Sequence, residues 1–211
     1  MHTADATFWD RIAPSYSAQP IANPEAWQRK LAVHKALLRP QDTVLDVGCG
    51  TGSLCLELAP HAQRVHGVDF SAAMVAIARA KATADGAANV AFSQGTVDDL
   101  DAQHDVVSAY SLLHLVPDLD EALARLFAAT RPGGWFVSST TTLGDGWIPY
   151  RPILAVMRWL GKAPPVLILR RAHLLARIAA AGFVDVRLTE VGADSTIAYV
   201  VARRPEAAPA R

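Results

Sequence analysis

Two periods of hydrophobic spacing alternate along this chain, and together they predict an α/β protein. Short apolar runs rich in β-branched residues read as strands at 43–47, 64–69, 89–93, 105–110, 135–139, 183–189 and 196–202. Between them lie stretches with helical spacing at 53–59, 72–84, 119–130 and 172–181, the third with apolar residues at 119, 123, 126 and 127. Ser71 is placed to cap the second of these and Gly182 to follow the last. Pro132 is expected to stop the third, with Gly133 and Gly134 turning the chain into the fifth strand. A further helix is expected around 27–38. Strands and helices in alternation point to a sheet with helices packed on it.

The sharpest break in this pattern is Val44-Leu-Asp-Val-Gly-Cys-Gly-Thr-Gly52, a strand that opens into three glycines and then a helix. Glycines let the backbone turn tightly and let a ligand approach without a Cβ in the way. The helix start beyond offers free N–H groups. Such a turn at the carboxyl end of a parallel strand is a nucleotide-type site. A dinucleotide fingerprint places its third glycine three residues after the second, where this chain has Ser53. Gly52 comes early and Asp46 lies inside the strand, while no G-K-[ST] occurs to make a P-loop. The nonapeptide resembles motif I of the class I S-adenosylmethionine-dependent methyltransferases, hydrophobic-L-D-x-G-x-G-x-G.

That resemblance runs over about residues 30–203. It implies a Rossmann-like doubly wound seven-stranded sheet, mostly parallel with an antiparallel last strand, and helices on both faces. It implies S-adenosyl-L-methionine as cofactor, with Asp46, Gly48, Cys49, Gly50 and Gly52 at the turn and Asp69, 17 residues on, accepting both ribose hydroxyls. Phe70 and Met74 would meet the adenine, Met74 having a core role as its alternative. Gln94-Gly-Thr-Val-Asp-Asp-Leu100 resembles the family's G-D-A-x-D-L segment, but Thr96 stands where its first acid is expected. This leaves Asp98, or main chain at Thr96 and Val97, for the adenine edge; Ala109 would flank the site from the fourth strand. The segment around Ala13 and Tyr16 resembles an x-A-x-x-Y lid, so Tyr16 lies near the methyl group or simply staples a lid helix, as Phe8, Trp9 and Trp27 are expected to do. His114, just past the fourth strand, is either a general base or a residue that positions the lid or caps the next helix. Tyr150 and His173 are further candidates for the base.

Composition narrows the picture. A chain of 211 residues, 51% hydrophobic, is expected to form one domain: lid helices at 1–38, a cofactor core at 39–139, a cap insertion at 140–171 and a C-terminal helix and strands at 172–203, with a frayed tail over 203–211. Twenty basic and twenty acidic residues give no basic excess, so no nucleic-acid partner is expected. Cys49 and Cys55 are expected as buried free thiols, and scattered histidines imply no metal. The polar start Met1-His-Thr-Ala-Asp5 suggests no secretory leader and a cytoplasmic protein.

The insertion is apolar, yet Arg151, Arg158, Lys162 and prolines at 149, 152, 164 and 165 interrupt it too often for an integral span. Trp147, Tyr150, Ile153, Leu154, Met157 and Leu160 would form one apolar face. A cap over an apolar acceptor pocket, with Tyr16 and Trp147 nearby, is expected to cover it; a homodimer interface and a surface-seeking helix are the alternatives. The function expected is methyl transfer to a small apolar or aromatic acceptor. A nicotinamide oxidoreductase and a non-catalytic cofactor-binding protein are the competing readings.

Overall fold

A computed structural model describes residues 3–207. Helices α1 (Thr3–Ala18) and α2 (Pro24–Lys35) come first. Then follow β1 (Thr43–Val47), α3 (Ser53–Leu58), β2 (Arg64–Asp69), α4 (Ala72–Ala84), β3 (Val90–Gln94) and β4 (His104–Tyr110). The second half holds α5 (Leu119–Ala129), β5 (Thr130–Thr141), α6 (Tyr150–Trp159), α7 (Arg171–Ala180), β6 (Val184–Leu188) and β7 (Ile197–Arg203). Of the tail expected to fray, Arg203 ends β7 and Arg204 is held by Gly134 O, while the residues from 208 onward lie outside those described.

The strands form one sheet in the order β3-β2-β1-β4-β5-β7-β6. Strands β1 to β5 are parallel, and β7 enters antiparallel between β5 and β6. Alternation within the strands builds two cores. Leu45, Val107, Phe136 and Val200 face Leu123 and Leu126 of α5 and Ile178 of α7. Val44, Val65, Val106 and Val201 face Leu31 of α2, Cys55 of α3 and Ala78 of α4. Because β1 to β4 run the same way, their carboxyl ends open on one edge. The strand order reverses there between β1 and β4, where α/β sheets bind ligands.

Local chemistry explains the element boundaries. Ser71 Oγ accepts from Met74 N at 3.1 Å to start α4. Asn23 Oδ1 accepts from Ala26 N, with Pro24 in the first turn, so α2 begins three residues before the expected start at Trp27. The turn expected at 131–134 is instead a bulge inside β5. His104 pairs with Thr130 and Val106 with Trp135, leaving four residues looped out. Gly133, at φ 76°, donates its N–H to the carbonyls of Arg204 and Pro205 rather than to a turn partner.

Candidate active site

The glycine turn follows β1 because Gly48, Gly50 and Gly52 all take left-handed backbone, at φ 72°, 54° and 79°. Gly48 N and Cys49 N both donate to Val68 O at 2.7 and 3.1 Å, which holds the turn against the end of β2. The three glycines serve different ends. A Cβ on Gly52 would lie 2.6 Å from Phe92 Cζ and 2.9 Å from Ala78 Cβ, so the absence of a side chain there is a packing requirement. A Cβ on Gly50 would meet only Tyr16 Cε1, at 4.0 Å, and would otherwise project into open space.

Asp69 closes the turn from the side. Its Oδ2 accepts from Gly50 N at 2.8 Å and its Oδ1 from Ser71 N at 2.9 Å, leaving a further lone pair on each oxygen. Burial raises its pKa, and these two amides oppose the rise. Asp46 lies deeper, at the end of β1. Its Oδ2 accepts from the Cys55 thiol at 3.6 Å, while its Oδ1 is buried without a partner. Burial pushes its pKa up to about 7. An orphaned carboxylate oxygen beside a turn with three glycines suits a ligand that brings a positive or hydrogen-bonding group.

Two cavities meet at this point. A slot of about 50 Å³ is walled by Phe70, Thr96, Val97, Asp98, Leu112 and Val116. A chamber of about 250 Å³ is walled by Trp9, Tyr16, Trp27, Lys30, Tyr110 and Ser139, with Asp46, Cys49, Gly50 and Met74 also facing it. Gly48, Asp69, Phe70 and Leu112 border both. In the slot, Thr96 Oγ1 accepts from Asp98 N while Asp99 accepts from Thr96 N, a capping box that gives Thr96 a structural role. Asp98 points to Arg125, 3.8 Å away.

Helix α1 is fastened over the chamber by Asp10. Its Oδ1 accepts from Ser71 Oγ at 2.6 Å and Ala73 N at 3.1 Å, at the start of α4. That clamp brings Tyr16 over Gly50 with Trp9 edge-on to it, ring centroids 6.3 Å apart. Burial, then the Asp69 charge, raises the Tyr16 pKa and keeps the phenol neutral.

Lys30 was not among the expected site residues. Its Nζ donates to Ser139 Oγ at 2.9 Å, and no carboxylate among the described residues lies within 4 Å of it. Burial lowers its pKa, with distant Asp194 opposing. The helix carrying it is anchored by a buried chain. Tyr110 OH donates to Tyr199 OH at 2.9 Å, and Tyr199 OH donates to Lys30 O at 3.0 Å; His34 Nδ1 lies 3.3 Å from Tyr110 OH. Ser111 lines the chamber in a left-handed conformation at φ 52°, held by its N–H to Ser139 O. Lys30 sits between Arg29 and Leu31 in a helix that also carries Lys35, so no motif set it apart in the sequence.

Three expected contributors lie elsewhere. His114 borders neither cavity; its carbonyl accepts from Leu167 N at 2.7 Å, its Nδ1 is buried without a partner, and burial lowers its pKa to about 4. The Leu167 contact ties the main chain of the loop to the insertion, and the His114 side chain lines neither cavity. Ala109 is buried inside the sheet and lines neither cavity. The insertion supplies no wall of the chamber, and Trp147 is 93% exposed rather than beside Tyr16. The insertion instead borders a separate open cleft, where Arg151, Leu154 and Arg158 of α6 face Pro117, Leu167 and His173. Cys49 and Cys55 are buried free thiols. Among the described residues there is no cluster of three or more metal-binding side chains, and no helix is long and apolar enough to cross a membrane.

Residues 44–134, from β1 into β5, match the family model described as a methyltransferase domain. Trans-aconitate 2-methyltransferase of Deinococcus radiodurans is 41% identical over 99 residues, 46% of this chain and 36% of that protein. The chain belongs to the class I S-adenosylmethionine-dependent methyltransferase family. The ubiquinone biosynthesis O-methyltransferase of a Bradyrhizobium species is 32% identical over 168 residues, 73% of this chain and 65% of that enzyme. The chain thus spans about one to two thirds of the length of these curated relatives. Among solved structures, the methyltransferase fold recurs in the DhpI–SAH complex, with a TM-score of 0.74 at 24% identity over 97% of both chains. The [4+2]-cyclase SpnF shares it too, with a TM-score of 0.74 at 20% identity over 95% of both. A fold common to a cyclase leaves the reaction to be argued from the site.

Proposed function

We propose that this chain transfers the methyl group of S-adenosylmethionine to an oxygen of a small, largely apolar or aromatic acceptor that carries an acidic group. The observation that carries this reading is the chamber shared by the glycine turn, five aromatic side chains and an amine without a carboxylate partner. Named relatives that methylate oxygen, such as the ubiquinone biosynthesis enzyme, support the choice of atom.

The residues fit the cofactor. The slot between Phe70, Val97 and Val116 suits the adenine, the free lone pairs of Asp69 suit the two ribose hydroxyls, and the bare floor at Gly50 suits the methionine portion. Asp46 Oδ1 supplies the acceptor a cationic ligand group needs. When bound, the cofactor supplies a methyl group already activated by the sulfonium, so the protein's task is alignment. Trp9, Tyr16 and Trp27 shield that position from water and give a planar acceptor flat walls. Lys30 and Ser139 hold the acceptor's anionic oxygen. An acceptor already ionised at neutral pH needs no general base, consistent with a chamber whose two tyrosines are shifted upward in pKa and which excludes His114.

Lys30→Met tests the assignment. Removing one charged hydrogen bond is expected to raise the acceptor KM about 10- to 100-fold, with affinity for S-adenosylhomocysteine kept. A fall in S-adenosylhomocysteine affinity with unchanged acceptor KM would move Lys30 to the methionine carboxylate and end the case for an acidic acceptor.

A further inference from the structure

Helix α6 presents its apolar stripe to solvent. Ile153, Val156, Met157 and Leu160 recur at helical spacing on one side, and all four are exposed. Arg151, Leu154, Ala155 and Arg158 form the other stripe and face the open cleft. Trp147 before the helix is 93% exposed and Trp159 at its end is 84% exposed. No residue of α6 is buried. Burying these side chains is favourable, and soluble surfaces seldom leave so large a contiguous patch bare.

The charge around this patch identifies what covers it. The chain as a whole balances twenty acids against twenty bases, yet no Asp or Glu occurs between Gly146 and Val184. That stretch carries Arg151, Arg158, Lys162, Arg170, Arg171 and Arg177. Among the described residues no carboxylate lies within 4 Å of Arg151, Arg158 or Lys162. Arg11 of α1 adds a further cation at the end of the helix, donating to Gly161 O at 2.8 Å. Asp118 and Asp120 border the cleft behind the helix, where Asp120 is engaged by Arg177, and Asp145 before the helix accepts from Arg171 N at 2.8 Å. A second copy docking on this face would bring like-charged clusters together, which costs energy. An anionic lipid surface satisfies both halves of the pattern. Acyl chains take the aliphatic stripe, tryptophans favour the interfacial depth, and headgroups neutralise the cations.

We propose that α6, with Trp147 and Trp159, is an interfacial helix that docks the protein on an anionic phospholipid surface. This stands apart from the reading of the chamber and rests on none of its residues. The test is co-sedimentation of the full chain with vesicles of phosphatidylcholine, with and without phosphatidylglycerol. Binding is expected only to the anionic vesicles, weakening as salt rises, with a blue shift in tryptophan emission. Trp147→Ser/Trp159→Ser should abolish binding. Arg151→Gln/Arg158→Gln/Lys162→Gln should weaken it about fivefold per charge removed. Both variants should unfold at the wild-type temperature, since every altered side chain is exposed. No binding to anionic vesicles, equal binding to pure phosphatidylcholine, or full binding by the tryptophan variant would overturn the proposal. So would a wild-type dimer in sedimentation velocity that the same substitutions split, because a second copy would then cover the face.

Discussion

Replacing Gly50 with alanine separates the cofactor cradle from the fold. Gly50 stands at φ 54°, where an L-residue costs about 1–2 kcal/mol. No atom obstructs the added methyl more closely than Tyr16 Cε1 at 4.0 Å, so that strain is the whole cost to the folded state. For a chain of this size it lowers Tm by about 2–8 °C. The same methyl enters the floor of the chamber, where the methionine portion of the cofactor is proposed to lie. Affinity for S-adenosylhomocysteine, read by calorimetry, should fall at least about tenfold, or about 1.4 kcal/mol. Gly52→Ala gives the opposite signature. Its methyl would press on Phe92 and Ala78, adding about 1–3 kcal/mol of overpacking to similar backbone strain. Gly52→Ala should therefore lose more stability than Gly50→Ala. A Gly50→Ala protein that folds and binds S-adenosylhomocysteine like the wild type would refute the placement of the cofactor on this turn.

Asp69→Ala should weaken S-adenosylhomocysteine binding by about 2–3 kcal/mol, the scale of hydrogen bonds to a charged group, measured by calorimetry. It should also lower Tm, because Gly50 N and Ser71 N lose their acceptor. His114→Ala should lack the roughly hundredfold or greater fall in kcat that follows loss of a general base, and its pH–rate profile should match the wild type. Two buried groups should shape stability in opposite directions. His34 is held neutral by burial, its pKa lowered from 6.5 to about 3, so the unfolded chain binds more protons in that window and stability falls as pH drops below 6.5. Asp46 is raised from 3.8 to about 7, so stability falls as pH rises through that window. Chemical denaturation across pH should show His34→Gln losing the first slope and Asp46→Asn the second, each up to about 1.4 kcal/mol per pH unit. Variant curves parallel to the wild type would contradict both assignments.

What could be read from the sequence was local in origin. The β1 strand, its glycines, Asp69 at the end of β2 and Ser71 as a cap all lie within short segments whose chemistry is self-contained, and the structure brings them to one edge of the sheet. The antiparallel β7 followed from the family resemblance. The misplacements came where tertiary contacts decide. Arg131 to Gly134 were expected to form a turn because proline and glycine usually do. The main chain after β7 offers Gly133 its hydrogen-bond acceptors and makes the segment a bulge. His114 follows β4 by four residues, but the loop that carries it is tied through the His114 carbonyl to Leu167, far along the chain. Lys30 meets Ser139 across 109 residues, and Asp10 meets Ser71 across 61, so neither carried a local signature. The apolar spacing of the insertion did indicate a helix. Periodicity cannot tell which side of that helix faces the core, and Trp147, Ile153, Met157 and Leu160 of the stripe expected over the acceptor face solvent instead.

Calorimetric titration of the protein with S-adenosylhomocysteine and, separately, with NADH tests the cofactor site itself. Saturable one-site binding of S-adenosylhomocysteine, lost in Asp69→Ala and weakened in Gly50→Ala, with no heat from NADH, is the expected result. Binding of NADH in its place, or S-adenosylhomocysteine affinity indifferent to both substitutions, would contradict it.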